Sequence, residues 1–264
     1  MKFTSRVEVQ PIDGSSWKRY RTPRGIEILV TSAFRDIMRH GQSSPLDDGQ
    51  HVSRGVLRLL RQYRWSVELK EYDKNRTYVA NWVDAAVYKI GSSNLCVREE
   101  VRAGSSEDKL HRMDLIQHLL ELGSLPRWIK SPTHYWLIKV PAMYSGLFDK
   151  YMFMEMIDAG ITSWDIIDHP RTPAIENAII ENFWSEYWFT SIESPAYKAF
   201  QEETKSKYNE VISLLKKAFE THKDAFRWWT FDQLFTDLYQ RNLLVTHNPT
   251  PIANSKMTFW VIDQ

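Results

Sequence analysis

Cysteine is almost absent from this 264-residue chain, since Cys96 stands alone. A single cysteine excludes an intrachain disulfide and a zinc site built on several thiolates. No charge of either sign is in excess: 34 basic and 33 acidic side chains give a formal net charge of +1. Electrostatics therefore predicts neither a nucleic acid nor an anionic membrane as the partner.

Long hydrophobic runs are missing as well. No uncharged stretch approaches the roughly 18 residues of a membrane span, and MKFTSRVEVQ lacks the apolar core of a signal peptide. The eight histidines show no zinc-binding spacing, and the chain carries no glycine-rich Walker loop and no G-x-S-x-G motif. We therefore expect a cytoplasmic protein whose function depends on none of these motifs.

What the chain does have is the composition of a globular protein. Hydrophobic residues make up 43% and charged residues 25%, which is ordinary for a folded domain. The 11 tryptophans indicate heavy aromatic packing rather than ligand stacking. Cys96, between Leu95 and Val97, is interpreted as a buried strand residue. The length allows one large domain or two modest ones.

Hydrophobic periodicity predicts an α+β fold with two lobes. WSVELKEY, RTYVANWV, AAVYKIG and NLCVREEV are typical of strands in one antiparallel meander. SSEDKLHRMDLIQHLLELG predicts a helix that ends at Gly123, and HYWLIKV and KYMFMEMI predict two further strands. Long amphipathic helices follow from Ser163, and NLLVT and MTFWVID predict a terminal hairpin. We expect residues 1–75 to form a helical extension, with one helix from Ser32 to Gly41 and another after Gly49.

The residues that suggest chemistry lie near the end of the chain. Asp237 is followed five residues later by Asn242, and the second hairpin strand leads into Asp263. Phosphoryl transfer needs a carboxylate to accept the proton of the attacking hydroxyl, and hard oxygen ligands to hold magnesium against the nucleotide phosphates. Asp237 is the predicted base, and Asn242 and Asp263 are the predicted metal ligands.

Four motifs occur together in a known order. DLYQRNLLV resembles the catalytic loop of the protein-kinase-like superfamily, with its D-L-x-x-x-N core, and FWVIDQ resembles its metal-binding strand end. YMFMEMIDAG resembles the hinge, and AVYKIGSSNLCVREEV resembles the second and third strands of the N-lobe. With LGSLP before the next strand, the pattern is most similar to the aminoglycoside/choline phosphotransferase type.

The resemblance implies a two-lobed fold with an antiparallel-sheet N-lobe, one flanking helix and a mostly helical C-lobe. It divides the chain into an extension at 1–75, an N-lobe with hinge at 76–157 and a partial C-lobe at 158–264. It implies ATP and Mg²⁺ as cofactors and transfer of a phosphoryl group to a small-molecule hydroxyl. Arg98 stands at the nucleotide-binding lysine position, with Asp114 or Glu107 as its acidic partner. The backbone of Glu155 and Ile157 is expected to bond adenine.

Departures from the family pattern leave a second interpretation open. Arg98 replaces a lysine, whose compact ammonium a planar guanidinium does not reproduce. The turn NWVDAA contains no glycine that would bring backbone N–H groups to phosphate. The sequence ends one residue after Asp263, where the family continues with helices, so we expect an incomplete C-lobe. The alternative is a catalytically impaired, pseudokinase-like module that binds a nucleotide or a protein.

A third interpretation comes from DIMRHGQSS. Arg39, His40 and Gly41 resemble the phosphohistidine motif of histidine phosphatases, in which His40 would be the nucleophile. That family requires a strand that runs directly into the arginine, whereas SAFRDIMRHG has the pattern of a helix that ends at glycine.

The C-lobe helices predict a surface for association. Two long helices carry apolar faces that the absent C-terminal helices of the family would cover. We expect several of these side chains to be exposed and to favour self-association or a protein partner. They are Ile179, Ile180, Phe183, Trp184, Tyr187 and Trp188 on one helix, and Val211, Leu214, Leu215 and Phe219 on the other.

Overall fold

A computed structural model describes most of the second half of the chain and selected strands of the first. The residues described are 8–11, 18–21, 27–30, 76–81, 85–90, 95–101, 106–123, 125–139, 148–168, 170, 172–235, 238, 242–252 and 255–262. The chain divides into two compact units. Unit 1 comprises Met1–Leu110 and Thr133–Met156, and unit 2 comprises His111–Pro132 and Ile157–Gln264.

Unit 1 is built on a sheet of eight described strands. In chain order they are β1 (Glu8–Pro11), β2 (Lys18–Arg21), β3 (Glu27–Val30), β4 (Arg76–Asn81), β5 (Ala85–Ile90), β6 (Leu95–Val101), β8 (His134–Lys139) and β9 (Phe148–Glu155). Their spatial order is β1-β2-β3-β8-β9-β6-β5-β4. Every pairing is antiparallel.

Strands β4, β5, β6, β8 and β9 confirm the sequence prediction, whereas β1, β2 and β3 correct it. Residues 1–75 were expected to be helical, but the three described segments of that region are strands. They join the sheet of unit 1, because β3 pairs with β8 and places Leu29 opposite Leu137. The predicted helices after Ser32 and Gly49 and the predicted strand at 65–72 lie outside the described residues.

The centre of the unit 1 sheet is apolar where its side chains are described. Cys96 and Val97 on β6 and Met152 and Phe153 on β9 are all buried, and the two strands pair Cys96 with Met154 and Val97 with Phe153. The Cys96 thiol donates to the carbonyl oxygens of Met154 and Glu155, both at 3.6 Å. Cys96 is therefore a buried strand residue, as predicted.

Unit 2 combines helices with a smaller sheet. Helix α1 (Ser106–Leu122) enters it at His111, and it is followed by α2 (Ser163–Ile167), α3 (Pro173–Tyr187), α4 (Pro195–Thr221), a short 3-10 helix (Lys223–Phe226) and α5 (Phe231–Leu234). Four described strands form the sheet: β7 (Ile129–Lys130), β10 (Ile161–Thr162), β11 (Leu243–Ile252) and β12 (Ser255–Val261). Their order is β10-β11-β12-β7, and only the β12–β7 pairing in this order is parallel. The fold is α+β, and the predicted terminal hairpin is β11–β12.

Local capping chemistry defines where the helices of unit 2 begin. The hydroxyls of Thr162, Thr172 and Ser194 accept hydrogen bonds from backbone N–H groups at the starts of α2, α3 and α4, which satisfies donors that have no partner within the helix. Thr230 and Gln233 form a reciprocal capping box at α5,. Helix starts are therefore encoded by residues next to them in the sequence.

Gly123 ends α1 for a reason of space. Its N–H donates to the carbonyl oxygen of Leu119 at 2.8 Å. A Cβ at this position would lie 2.8 Å from the Cβ of Ala218 and 2.9 Å from the Leu119 oxygen. The predicted stop is confirmed, and the absence of a side chain lets this end of α1 approach α4 closely.

Aromatic side chains fill the interface of α3 with α4. Phe200 of α4 lies 4.8 Å from the ring centre of Phe183 and 4.6 Å from that of Tyr187, and Phe189 packs on it at 5.3 Å. Such ring pairs add packing energy to the apolar area that they bury. Aromatic packing in this interface is therefore formed by phenylalanine and tyrosine, whereas Trp184, Trp188 and Trp228 are exposed.

This packing corrects the prediction of exposed helix faces. Ile179, Phe183, Val211, Leu215 and Phe219 are buried, so the expectation that these side chains are exposed was wrong. Ile180, Tyr187 and Leu214 are half-buried against the same core. The reason is that the apolar faces of α3 and α4 cover each other and the hairpin. Trp184, at 47%, and Trp188, at 78%, are exposed as expected.

Among the described residues, no helix combines the length and the apolar character needed to cross a membrane.

Candidate functional site

The open end of the β11–β12 hairpin brings two of the predicted site segments together. Leu243 pairs with Val261 at the last register position. Beyond it, the N–H of Ile262 donates to the carbonyl oxygen of Asn242 at 2.9 Å. Asn242 is half-buried, and Ile262 is buried. The residue that precedes β11 and the residue that follows β12 are thus neighbours in space.

This junction concerns both predicted metal ligands. Asp263 is the residue after Ile262 in the sequence, although it lies outside the described residues, as does Asp237. An asparagine side-chain oxygen and a carboxylate are hard oxygen donors of the kind that Mg²⁺ prefers. Within the described part of the chain, no three His, Cys, Asp or Glu side chains form a group that could hold a metal. The metal site therefore stays a prediction that depends on Asp263.

Leu238, which follows Asp237 in the sequence, is held by two backbone hydrogen bonds. Leu238 donates its N–H to the carbonyl oxygen of Phe235 at 3.2 Å, and its own carbonyl oxygen accepts the hydroxyl of Tyr208 at 3.3 Å. Phe235 is buried. Sequence analysis did not identify Tyr208, because its partner lies 30 residues away in the chain.

Glu155 is held at the end of β9 by Thr133. The N–H of Glu155 donates to the Thr133 carbonyl at 2.8 Å. Its carboxylate accepts the N–H of Thr133 at 3.0 Å and the Thr133 hydroxyl at 3.1 Å. The carbonyl oxygen of Glu155 accepts the Cys96 thiol at 3.6 Å, and a thiol is a weak donor.

The chain turns tightly after Glu155. Ala159 has a φ of 57°, a left-handed conformation that costs a non-glycine residue about 1–2 kcal/mol. A Cβ on Gly160 would lie 3.1 Å from the Leu244 side chain and 3.2 Å from that of Ile157. Ile157 and Leu244 are therefore neighbours across Gly160. Leu244 is an apolar residue that sequence analysis did not single out. Leu243, Leu244 and Val245 are all apolar, and only the structure shows that Leu244 is half-buried between two buried neighbours.

Arg98 occupies a buried position on β6. It is 5% exposed, in register with Val87 on β5 and Met152 on β9. Glu107 belongs to unit 1 with Arg98, whereas half-buried Asp114 belongs to unit 2. Which of these acids pairs with Arg98 stays open, as it did in the sequence. A guanidinium this deeply buried requires polar or anionic groups around it.

A separate charged cluster links α3 to the hairpin. The Lys256 ammonium lies 2.5 Å from one carboxylate oxygen of Glu186, and His247 Nε2 lies 3.8 Å from the other. The hydrogen bond from Lys256 holds the pKa of Glu186 below its usual value, and the same bond raises the pKa of Lys256. Burial, reinforced by Glu203, raises the pKa of Tyr187. These contacts hold α3 against the β11–β12 hairpin, and none of them involves a predicted site residue.

The motif at Arg39, His40 and Gly41 lies outside the described residues, so its predicted role is neither supported nor opposed by the structure.

Compared with known protein families, curated proteins and solved structures, the chain has no significant match.

Proposed function

We propose that this chain is an ATP- and Mg²⁺-dependent phosphotransferase of protein-kinase-like fold that acts on the hydroxyl group of a small molecule. The observation that carries the proposal is the 2.9 Å hydrogen bond from the Ile262 N–H to the Asn242 carbonyl oxygen. This bond makes Asn242 and Ile262 neighbours. It supports a metal site shared by Asn242 and Asp263, because Asp263 follows Ile262 in the sequence.

The order of elements supports the same proposal. Counted from Arg76, the third strand carries Arg98 and is followed directly by helix α1. In protein kinases the third strand carries the nucleotide-binding lysine, and the next helix supplies its acidic partner. Strands β8 and β9 then lead into the segment from Met154 to Gly160, which has the hinge pattern.

The chemistry assigned to each residue follows from its type. Asp237 would orient the substrate hydroxyl and accept its proton, and Asn242 and Asp263 would hold Mg²⁺ through their side-chain oxygens. Bound Mg²⁺ neutralises charge on the nucleotide phosphates. The backbone of Ile157 would bond the adenine ring, and Leu244, its neighbour across Gly160, would offer an apolar surface to the base.

Arg98 favours a second candidate function, which is binding of a nucleotide or protein without phosphoryl transfer. Arg98 is buried, at 5% exposure, and by the resemblance it corresponds to the position at which kinases have a compact ammonium. Arginine retains the positive charge but contacts phosphate with a different geometry. A module of this kind would bind nucleotide without turning it over.

Thermal unfolding with ATP, with and without Mg²⁺, tests the proposal, because a ligand that binds the native state raises its stability. We expect a rise in Tm that requires both ATP and Mg²⁺ and that is lost in Asp263→Ala and Asn242→Ala. Exposed Asp224 and Asn209 provide the matched controls, and Asp224→Ala and Asn209→Ala should retain the full shift.

The other outcomes separate the candidates. A shift with ATP that is indifferent to Mg²⁺ and to Asp263→Ala would favour the binding module. The absence of any shift would reject nucleotide binding altogether.

A further inference from the structure

One row of side chains crosses the four-stranded sheet of unit 2 without entering its core. Thr162, Leu244, Trp260 and Lys130 are successive register partners on β10, β11, β12 and β7, and all four are half-buried. Side chains directly opposite each other on neighbouring strands share a face of the sheet. The row therefore places the apolar side chain of Leu244, an aromatic ring and a cation side by side.

The ring of Trp260 orients the Lys130 ammonium. The indole Nε1 donates to the hydroxyl of Thr246 at 3.0 Å, which holds the ring in place. The Lys130 ammonium lies 5.0 Å from the centre of that ring. A cation over an aromatic face gains about 0.5–1 kcal/mol at exposed sites, but the ring carries no negative charge that would neutralise the ammonium. The contact fixes the position of the charge and leaves its three N–H donors without an anion.

Comparison with a second lysine shows what Lys130 lacks. Lys207 also lies over a tryptophan ring, 4.7 Å from the centre of Trp128, and it is half-buried, but its ammonium pairs with the Glu210 carboxylate at 2.8 Å. Among the residues that the structure describes, no carboxylate lies within ion-pair distance of Lys130. A partly buried charge is stabilised by an opposite charge, so Lys130 is suited to an anionic ligand.

We infer that the Lys130 ammonium binds a phosphate group of the nucleotide, an inference that rests on the proposed phosphotransferase function. Neighbouring strands lie about 4.8 Å apart, so Lys130 stands about 10 Å from Leu244, with Trp260 between them. A base against Leu244 and a phosphate at Lys130 would lie on the same face. By the resemblance, Arg98 replaces the compact ammonium that contacts phosphate in kinases. Lys130 supplies such an ammonium from unit 2.

Calorimetric titration with Mg²⁺-ATP and with adenosine tests the inference, because only ATP carries phosphate. We expect Lys130→Gln to weaken ATP binding about tenfold, since it removes a charge-assisted contact, and to leave adenosine binding unchanged. Lys130→Arg keeps the charge and should recover most of the lost affinity for ATP. Leu244→Ala should weaken the binding of both ligands, because it acts on the base.

Lys207→Gln is the matched control, since it removes a half-buried lysine from another tryptophan ring of the same unit. It should leave the affinities for ATP and adenosine unchanged. Thermal unfolding without ligand verifies that Lys130→Gln and Lys207→Gln are folded at the temperature of the titration.

Failure of the inference is distinguishable from failure of the proposed function. If the wild-type protein binds Mg²⁺-ATP and Lys130→Gln binds it equally well, Lys130 does not contact phosphate, and the proposed function stands. Equal losses of ATP and adenosine affinity in Lys130→Gln would also overturn the inference, since they would reflect the altered Trp260 ring. If the wild-type protein does not bind Mg²⁺-ATP, the proposed function fails and this inference fails with it.

Discussion

Two neighbouring rows of the four-stranded sheet in unit 2 differ sharply in burial, although their residues alternate along the same strands. One row across the sheet is apolar and buried; it consists of Ile161, Val245, Phe259 and Ile129. The neighbouring row is mixed and half-buried; it consists of Thr162, Leu244, Trp260 and Lys130. The first row packs into the hydrophobic core of unit 2.

The polar side chains of the second row have partners in the sheet or in α2, since the Thr162 hydroxyl caps that helix. The indole Nε1 of Trp260 donates to the hydroxyl of Thr246 at 3.0 Å, and the Lys130 ammonium lies 5.0 Å from the centre of the Trp260 ring. Leu244 approaches Gly160 and Ile157. This difference indicates that one face determines stability, whereas the other forms the proposed binding surface. Substitutions on the first should therefore change the free energy of unfolding, and substitutions on the second should change ligand affinity.

The largest effect is expected on the core face. Phe259→Ala removes a fully buried ring that meets Trp128 edge to face at 6.1 Å, and it should lower the free energy of unfolding by about 3–5 kcal/mol. Urea denaturation measures this loss. Phe259→Leu should cost clearly less, because it retains most of the volume. A cost under about 1 kcal/mol for Phe259→Ala would contradict the division of roles.

On the opposite face, Leu244→Ala should affect binding more than folding. Leu244 is half-buried, so its truncation should cost about 1–2 kcal/mol of stability. It should weaken ATP binding about tenfold, which corresponds to about 1.4 kcal/mol. Calorimetric titration measures the affinity. Leu214→Ala, at another half-buried leucine, is the control; equal loss of affinity in both variants would show that the effect is indirect.

The bond between Trp260 and Thr246 should contribute less. Thr246→Val removes the acceptor of the indole N–H at nearly constant volume and should cost about 1 kcal/mol. A double-mutant cycle with Trp260→Phe isolates the pair, and denaturant unfolding of the four proteins provides the energies. If the two single costs simply add, the bond contributes nothing to stability.

The smallest effect is expected at the Glu186–Lys256 pair. Because the pKa of Glu186 is lowered, the pair stabilises the fold above the ordinary Glu pKa of about 4.3. This stabilisation is lost as the pH falls through the pKa of Glu186 in the folded protein. Because the pKa of Lys256 is raised, the stabilisation by the pair is also lost as the pH rises through the pKa of Lys256 in the folded protein. The stability of Glu186→Gln should therefore differ from that of wild type near pH 7, and the difference should shrink as the pH falls through the lowered pKa of Glu186.

Salt provides the check on that interpretation. Both side chains of the pair are partly exposed, at 30% for Glu186 and 44% for Lys256, so salt should screen their attraction. His247 faces the same carboxylate, and His247→Gln separates its contribution from that of Lys256. A difference in stability between wild type and Glu186→Gln that changes with neither acid pH nor salt would assign the effect to packing instead of charge.

Elements with strong local patterns could be predicted from the sequence. Strands β4 to β6 show β-branched and aromatic runs between turn residues, and α1 has its stop at Gly123. The three strands of the first 30 residues were missed, because segments of four residues are too short to show a period. Their pairing is also non-local, since Ile28 lies opposite Ile138.

The burial of the helices could not be read from periodicity. An apolar face indicates that something covers it, but it does not indicate which element does. Phe183 and Phe200, whose ring centres lie 4.8 Å apart, belong to the two helices whose apolar faces were each predicted to be exposed.

In the site, the proximity of Asn242 and Ile262 follows from the hairpin that the sequence predicts. The contact of Tyr208 with Leu238 depends on how α4 packs, which no local pattern encodes.

The most direct test of the central claim is the position of the metal. Crystals grown with a non-hydrolysable ATP analogue and Mn²⁺, which replaces Mg²⁺ and scatters anomalously, would locate it. We predict a metal peak at ligand distance, roughly 2.2 Å, from the side-chain oxygens of Asn242 and Asp263. A nucleotide-bound metal that contacts neither residue would contradict the account.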